Sequence, residues 1–339
     1  MKQRWVEPDL RDEVVDFIKH WHERTRFPLQ KLLRWLKLQP SKYYAWVTRY
    51  GKVNEHNGKI PRDHWLTDEE KSQIIDYYAE HPDSGYRRLT YMMMDADVVA
   101  MSPASVYRVL KAEGLMKRFA GRVGNGKGKG FEQPLSVHKH WHLDISCINI
   151  CGTFYYLCTI LDGYSRFVIN FGIGEAMTQS DVEIIIEQAK EKYPMAKPRI
   201  ITDNGPQFIA KDFKEYIRIS GMTQVRTSPY YPQSNGKIER WHQSLKTESL
   251  RQKVPLSLED ARRIIGEYIR EYNQNRLHSG IGYVTPQTKM DGAEKQVWAM
   301  REAKLANARA ERAKMRQLER MDEKPKTGQT QNLSLSISR

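Results

Sequence analysis

Among the 41 Asp and Glu residues of this 339-residue chain, three stand out by position: Asp144, Asp203 and Glu239. Carboxylate oxygens are hard donors. A converging set of three would seat a hard divalent cation such as Mg²⁺ or Mn²⁺. Singly, each acid has a plainer role. Asp203 precedes Asn204-Gly205, where Asp is commonly a turn residue. Glu239 lies near a helix start, where an acid complements the helix dipole. Asp162, Asp181 and Asp212 are acids of these plainer kinds.

The elements that must position the three set them apart. From residue 141 the texture is that of strands, with aromatic and β-branched residues over 141–150, 153–161 and 167–173. A strand period of two puts His142, Asp144 and Ser146 on one face and Trp141, Leu143 and Ile145 on the other. The apolar set is expected to take the core, leaving Asp144 on the more open face. Asp162-Gly163 marks the turn between the second and third strands. A helix over 180–193 is expected to be entered through Ser180 and Asp181. A short buried strand over 199–202 ends directly before Asp203, and the carboxyl end of a central strand is a usual place for a site. A helix over 210–220 and a strand over 223–227 follow. Glu239 falls in the next helix, beginning near 234–236, whose Ile238, Trp241 and Leu245 supply a buried stripe. The order βββ-α-β-α-β-α predicts an α/β fold with a sheet of mixed direction.

The first 118 residues read differently. Val14, Phe17, Ile18 and Trp21 recur at helical spacing. Two short helices follow over 29–36 and 41–49, the second with Ser41 as its expected N-cap. This makes a first helix-turn-helix-like unit over 5–50. A second spans 63–118. Thr67 with Glu70 forms a capping box, Ser102-Pro103 opens a helix and Gly114 closes it. Ser105, Arg108 and Lys111 on that helix lie three apart and are expected to face a DNA groove. Residues 119–137 hold five Gly with Lys127 and Lys129, a flexible basic linker expected along phosphates. After the α/β region of 138–252 comes a helical region, 253–322. It includes an amphipathic helix over 258–273 and a long Ala-, Lys-, Arg- and Glu-rich helix. The polar tail, 323–339, is expected to be disordered.

Fifty-five Lys and Arg leave a net charge of +14, which favours a polyanion as partner and nucleic acid above all. Three Cys cannot build a disulfide framework, and no apolar run nears the about 18 residues of a membrane span. With no secretion signal at Met1–Trp5, a reduced, cytoplasmic setting is expected.

The motifs carry a family resemblance. Trp141-His-Leu-Asp144, Thr202-Asp-Asn-Gly-Pro-Gln-Phe208 and Ser228-Pro-Tyr-Tyr-Pro-Gln-Ser-Asn-Gly-Lys-Ile-Glu-Arg240, with 35 residues between Asp203 and Glu239, resemble the D,D(35)E signature of the retroviral-integrase superfamily. With Asn275-Arg-Leu-His278 and Gly282-Tyr-Val-Thr-Pro286, the chain is most similar to bacterial insertion-sequence transposases of the IS3 family, second reading frame (OrfB), and next to the IS481 type. Leu32–Trp46 and Ser84-Gly-Tyr-Arg-Arg88 resemble that family's helix-turn-helix region.

The resemblance implies an RNase H-like core with a mixed five-stranded sheet, preceded by all-α helix-turn-helix domains and followed by a helical region. It implies that Asp144, Asp203 and Glu239 hold two Mg²⁺ or Mn²⁺ ions for in-line displacement at phosphorus. The nucleophile is water for cleavage and a DNA 3′-OH for strand transfer. Lys246 is expected at the DNA end, Lys237 and Arg240 at phosphates, and Gln233 and Asn235 at bases or phosphates. Arg87 and Arg88 are expected in the DNA-binding set. The implied partners are the element's terminal inverted repeats, target DNA, further copies of the chain in a synaptic complex, and a protein from an upstream frame (OrfA). Two competing expectations are a DNA-binding regulator on an inactive scaffold and a nuclease sharing the fold. The zinc module of retroviral integrases is missing from the motifs, since all three Cys fall within 147–158.

Overall fold

The computed structural model describes residues 6–52, 65–116, 133–226 and 235–322. It comprises two compact units, Met1–Trp65 and Leu66–Arg339. Lys127, Lys129, Gln233, most of the expected linker and the expected tail lie outside the described residues.

The first unit holds α1 (Pro8–Thr25), α2 (Leu29–Trp35) and α3 (Pro40–Thr48). Its core is Val15, Ile18, Leu33, Leu38, Tyr43 and Trp46. The expected stripe of α1 is out of phase: Val15 and Ile18 are buried, while Phe17 and Trp21 are 51% and 39% exposed. Arg11 explains the rotation. It is buried, pairs with Asp12 at 2.6 Å and donates to the Lys52 carbonyl at 2.8 Å, so a charge with satisfied donors occupies a core position. Ser41 does not cap α3. Gln39 is the N-cap and Pro40 takes the first turn, where its missing N–H costs nothing.

The second unit opens with α4 (Asp68–Glu80), α5 (Tyr86–Asp95) and α6 (Pro103–Ala112), packed around Ile74, Leu89, Met93, Val106 and Leu110. Thr67 and Glu70 form the expected capping box, and Ser102 caps α6 by accepting from Ser105 N–H. Gly114 leaves α6 with φ of 71°, a left-handed conformation suited to glycine.

The sheet follows: β1 (His140–Ile150), β2 (Thr153–Asp162), β3 (Val168–Gly174), then α7 (Gln179–Lys192), β4 (Arg199–Thr202), the single turn α8 (Pro206–Ile209), α9 (Lys211–Ile219) and β5 (Thr223–Arg226). The strand order is β3-β2-β1-β4-β5. The first three strands pair antiparallel, and β4 and β5 run parallel to β1. Thr178 rather than Ser180 caps α7, with Asp181 as the reciprocal acid of a capping box. Beyond the sheet lie α10 (Gly236–Leu245), one π-helical turn (Lys246–Leu250), α11 (Leu258–Gln274), α12 (Pro286–Met290) and α13 (Glu294–Asp322).

Strand parity sorts two cores. Trp141 and Leu143 join Ile160, Val182, Ile186, Phe213 and Ile217 on the face covered by α7 and α9. Ile148, Ile150, Leu157 and Leu161 join Ile238, Trp241, Leu245, Ile265 and Tyr272 on the face covered by α10 and α11. The expectation that Asp144 lies on an open face is therefore corrected. Helices α10 and α11 roof that face, and the Asp144 side chain is only 16% exposed.

Helix α13 returns to the first helices of this unit. Arg301 pairs with Asp95, and Lys304 with Asp97 at 2.6 Å. Arg312 pairs with Glu70 at 2.8 Å and donates to the Ala100 carbonyl at 2.6 Å. A stripe of cations, rather than an apolar stripe, holds this helix in place.

Candidate active site

Asp144 sits in β1, the central strand, with Thr159 of β2 directly opposite. On the other side of β1, His142 pairs with Ile201 of β4. Two residues further along each strand stand Asp144 and Asp203, so the parallel register brings the two acids level. Asp203 follows the last residue of β4, and its Oδ1 accepts from Gly205 N–H at 2.9 Å.

Helix α10 crosses this site and supplies the third acid. Its Ile238, Trp241 and Leu245 are buried against the sheet while Glu239 stays partly in solvent. Burial, and then the Asp144 charge, raise the Glu239 carboxyl above the usual range, and His242 works against that rise. Asp144 and Glu239 are thus electrostatic neighbours of like charge. A cation relieves such repulsion, and the all-oxygen donor set suits Mg²⁺ or Mn²⁺. Among the described residues no three of His, Cys, Asp and Glu stand close enough together to hold a metal ion. Asp144 and Glu239 are brought together, whereas the Asp203 carboxylate is engaged in its own turn.

His242 lies one turn beyond Glu239. Its Nδ1 is 3.3 Å from Asp144 Oδ2 and its Nε2 is 3.4 Å from Thr159 Oγ1. Lys246 follows at the start of the π-helical turn and donates to Ser146 Oγ at 2.7 Å. The face of β1 carrying Asp144 and Ser146 therefore meets Glu239, His242 and Lys246. Cys158 is fully buried near Asp144, and burial pushes its thiol up.

The expected DNA contacts divide. Arg108 and Lys111 are exposed on α6, and Arg240 is exposed on α10. Ser105 instead shares a 3.0 Å hydrogen bond with the Ser102 hydroxyl at the helix cap. Arg87 is exposed and lies over the Tyr86 ring, 5.5 Å from its centroid. Three of the expected residues are covered or engaged by the protein itself. Asn235 is only 4% exposed. Lys237 donates to the Gly163 carbonyl at 2.9 Å, and burial, with Arg166 adding to it, lowers its amine to about 7. Arg88 turns to Glu248, which also takes the guanidinium of Arg276 and the hydroxyl of Tyr268. In each case the local protein supplies a partner or a cover that the sequence pattern does not reveal. His142 is buried, and burial with nearby Lys237 and Arg166 lowers its imidazole to about 3, so it is a neutral strand residue.

Sequence reasoning missed His242, Thr159 and the Glu248–Arg276 pair. The available signal for His242 was its place three residues after Glu239, which puts both on one helix face.

The integrase core domain family matches residues 135–232, and a second family of the same description matches residues 220–286. Together the two matches span residues 135–286, which resemble an integrase core domain. The "Insertion element IS476 uncharacterized 39.2 kDa protein" of Xanthomonas euvesicatoria is 24% identical over 63% of this chain and 62% of its own length. This chain thus spans less than two thirds of that relative. The "Putative transposase InsK for insertion sequence element IS150" of Escherichia coli is 22% identical over 78% of this chain and 93% of its own length. Among solved structures, the HTLV-2 integrase catalytic core domain in complex with magnesium is 21% identical, with a TM-score of 0.38, over 46% of this chain and 98% of that one. The five-stranded mixed sheet flanked by helices agrees with the α/β core expected from the sequence. No helix among the described residues is long and apolar enough to cross a membrane.

Proposed function

We propose that this chain is a DNA transposase that binds the terminal inverted repeats of its element, cleaves donor strands and joins their 3′-OH ends to target phosphodiesters. The observation that carries the reading is the parallel register that sets Asp203 level with Asp144, together with a helix that makes Glu239 an electrostatic neighbour of Asp144. Asp144, Asp203 and Glu239 are the residues to hold two Mg²⁺ or Mn²⁺ ions. When bound, such ions supply the Lewis acidity that activates an attacking hydroxyl and offsets charge on the leaving oxygen.

The residues of the chain supply the rest. Lys246, beside Ser146, holds positive charge next to the acids, where a phosphodiester has to lie. Arg108, Lys111 and Arg240 offer exposed cations to the DNA backbone. The finer reading as an IS3-type OrfB rests on the quoted motifs. It brings with it the expectations of a synaptic multimer, an upstream-frame partner and a cytoplasmic site of action.

The test is joining of labelled terminal repeats to target DNA by the purified chain with Mg²⁺. Asp203→Asn and Glu239→Gln are expected to abolish joining while end binding persists. Wild-type joining by either variant overturns the triad. Binding of the ends with no nicking under Mg²⁺ or Mn²⁺ favours the regulator instead.

A further inference from the structure

Asp144 is held by more than its strand. On the roofed face of β1, His242 of α10 reaches down between two groups that face each other across the β1–β2 ladder. Its Nδ1 lies 3.3 Å from Asp144 Oδ2 and its Nε2 lies 3.4 Å from Thr159 Oγ1. Register makes this possible, since Asp144 and Thr159 are paired and their side chains rise from the same face a few ångströms apart. Burial makes it consequential: His242 is 5% exposed and Thr159 is 0% exposed. The imidazole is therefore wedged rather than free to turn. An ionised carboxylate only accepts, so the nitrogen facing Asp144 carries a proton. In the neutral ring the other nitrogen then accepts from the Thr159 hydroxyl, which fixes both the tautomer and the ring plane.

We propose that His242 is a positioning residue for Asp144. Its Nδ1–H takes up Oδ2 and sets the carboxylate plane in which Asp144 would meet a divalent cation, while Thr159 holds the imidazole in that pose. The proposal rests on the reading of Asp144 as a cation-holding acid. It adds a residue that touches neither the cation nor DNA. Groups that orient a ligating side chain typically govern metal affinity by roughly ten- to hundredfold, so the effect belongs in the affinity for the ion.

The two ring nitrogens allow a directional test. The amide nitrogen of Asn occupies nearly the place of Nδ1, and that of Gln nearly the place of Nε2. In the full-length chain, His242→Asn keeps the donor to Asp144, whereas His242→Gln keeps only the reach to Thr159. Mn²⁺ binding, followed by the electron paramagnetic resonance of the free ion, is the readout, with melting temperature recorded alongside. His242→Asn is expected to bind Mn²⁺ nearly as the parent does, and His242→Gln and His242→Phe roughly tenfold or more weakly. All three are expected to retain affinity for terminal-repeat DNA without metal. Parent-like Mn²⁺ binding by the Gln or Phe variant overturns the proposal, as does an Asn variant as weak as Phe. If Phe does not fold, the Asn–Gln pair decides. A distinct outcome strikes the functional reading instead: Mn²⁺ binding that survives Asp144→Asn unchanged means that Asp144 does not hold the ion.

Discussion

Lys246 Nζ donates to Ser146 Oγ at 2.7 Å across 100 residues of sequence, tying the end of α10 to the strand that carries Asp144. The bond holds a cation over the acid-bearing face, with no ion pair to an acid among the described residues. Lys246→Ala is therefore expected to weaken binding of terminal-repeat DNA and to lower the salt dependence by about one phosphate contact. Ser146→Ala keeps the charge and is expected to leave the salt slope unchanged. Fluorescence anisotropy at several salt concentrations reads both. Equal slopes for the parent and the Lys246→Ala variant rule out the phosphate contact.

Lys237 gives a pH dependence of defined sign. Its amine is lowered to about 7 by burial and by Arg166, whereas a free lysine titrates near 10.4. The unfolded chain thus binds more protons between these values, and stability from this group rises with pH across that window. The cost of burying the charge is fully present below about 7. Urea denaturation at pH 7 and pH 9 is expected to show a smaller gain for Lys237→Met than for the parent. An unchanged gain excludes Lys237 as its source.

Gly163 is fixed by its neighbours. A Cβ there would meet His142 Nε2 at 3.0 Å and the His140 carbonyl at 3.2 Å. Both belong to buried residues of the central strand, and each would have to give by a few tenths of an ångström. Gly163→Ala is expected to cost about 1–3 kcal/mol, as overpacking of a filled interior does. Chemical denaturation measures it, and an unchanged midpoint would show that the strand gives way to the added methyl group.

The pairing of Arg312 with Glu70 predicts how the second helical unit melts. The Arg312 side chain is 6% exposed and that of Glu70 20%, and Glu70 also closes the α4 capping box. Arg312→Ala leaves an acid without its cation and is expected to cost about 1.5–3 kcal/mol, the range for hydrogen bonds to charged groups. Hydrogen exchange is expected to rise in α4 and not in the sheet. Equal protection in the parent and the variant shows that α13 docks without this pair.

Much of the site was legible because strand period and turn chemistry are local. Parity alone put Asp144 apart from Trp141 and Leu143, and Thr202-Asp203-Asn204-Gly205 announced a strand end. The capping box at Thr67 is equally local. Tertiary choices were not legible. Nothing near Asp144 in sequence says that α10 and α11 roof its face, or that Lys237 turns to Gly163. The α1 stripe was misphased because Arg11, a charge with its donors satisfied, took a core position that apolar counting denies it. Helix α13 was opaque for a related reason. Its docking side is made of Arg301, Lys304 and Arg312, whose acids lie more than 200 residues away, and hydrophobic periodicity does not register such a face.

That docking has a consequence in time. A ribosome adds about 5–20 residues per second, so the roughly 200 residues from the end of α6 to the end of α13 take on the order of ten to forty seconds to make. Throughout that interval α4, α5 and α6 exist with Glu70, Asp95 and Asp97 unanswered. The sheet, with Asp144, Asp203 and Glu239, emerges before the cations that pair with the earlier helices. A chain abandoned by the ribosome before α13 thus carries Asp144, Asp203 and Glu239 behind helices that still lack the cations they pair with in the folded chain.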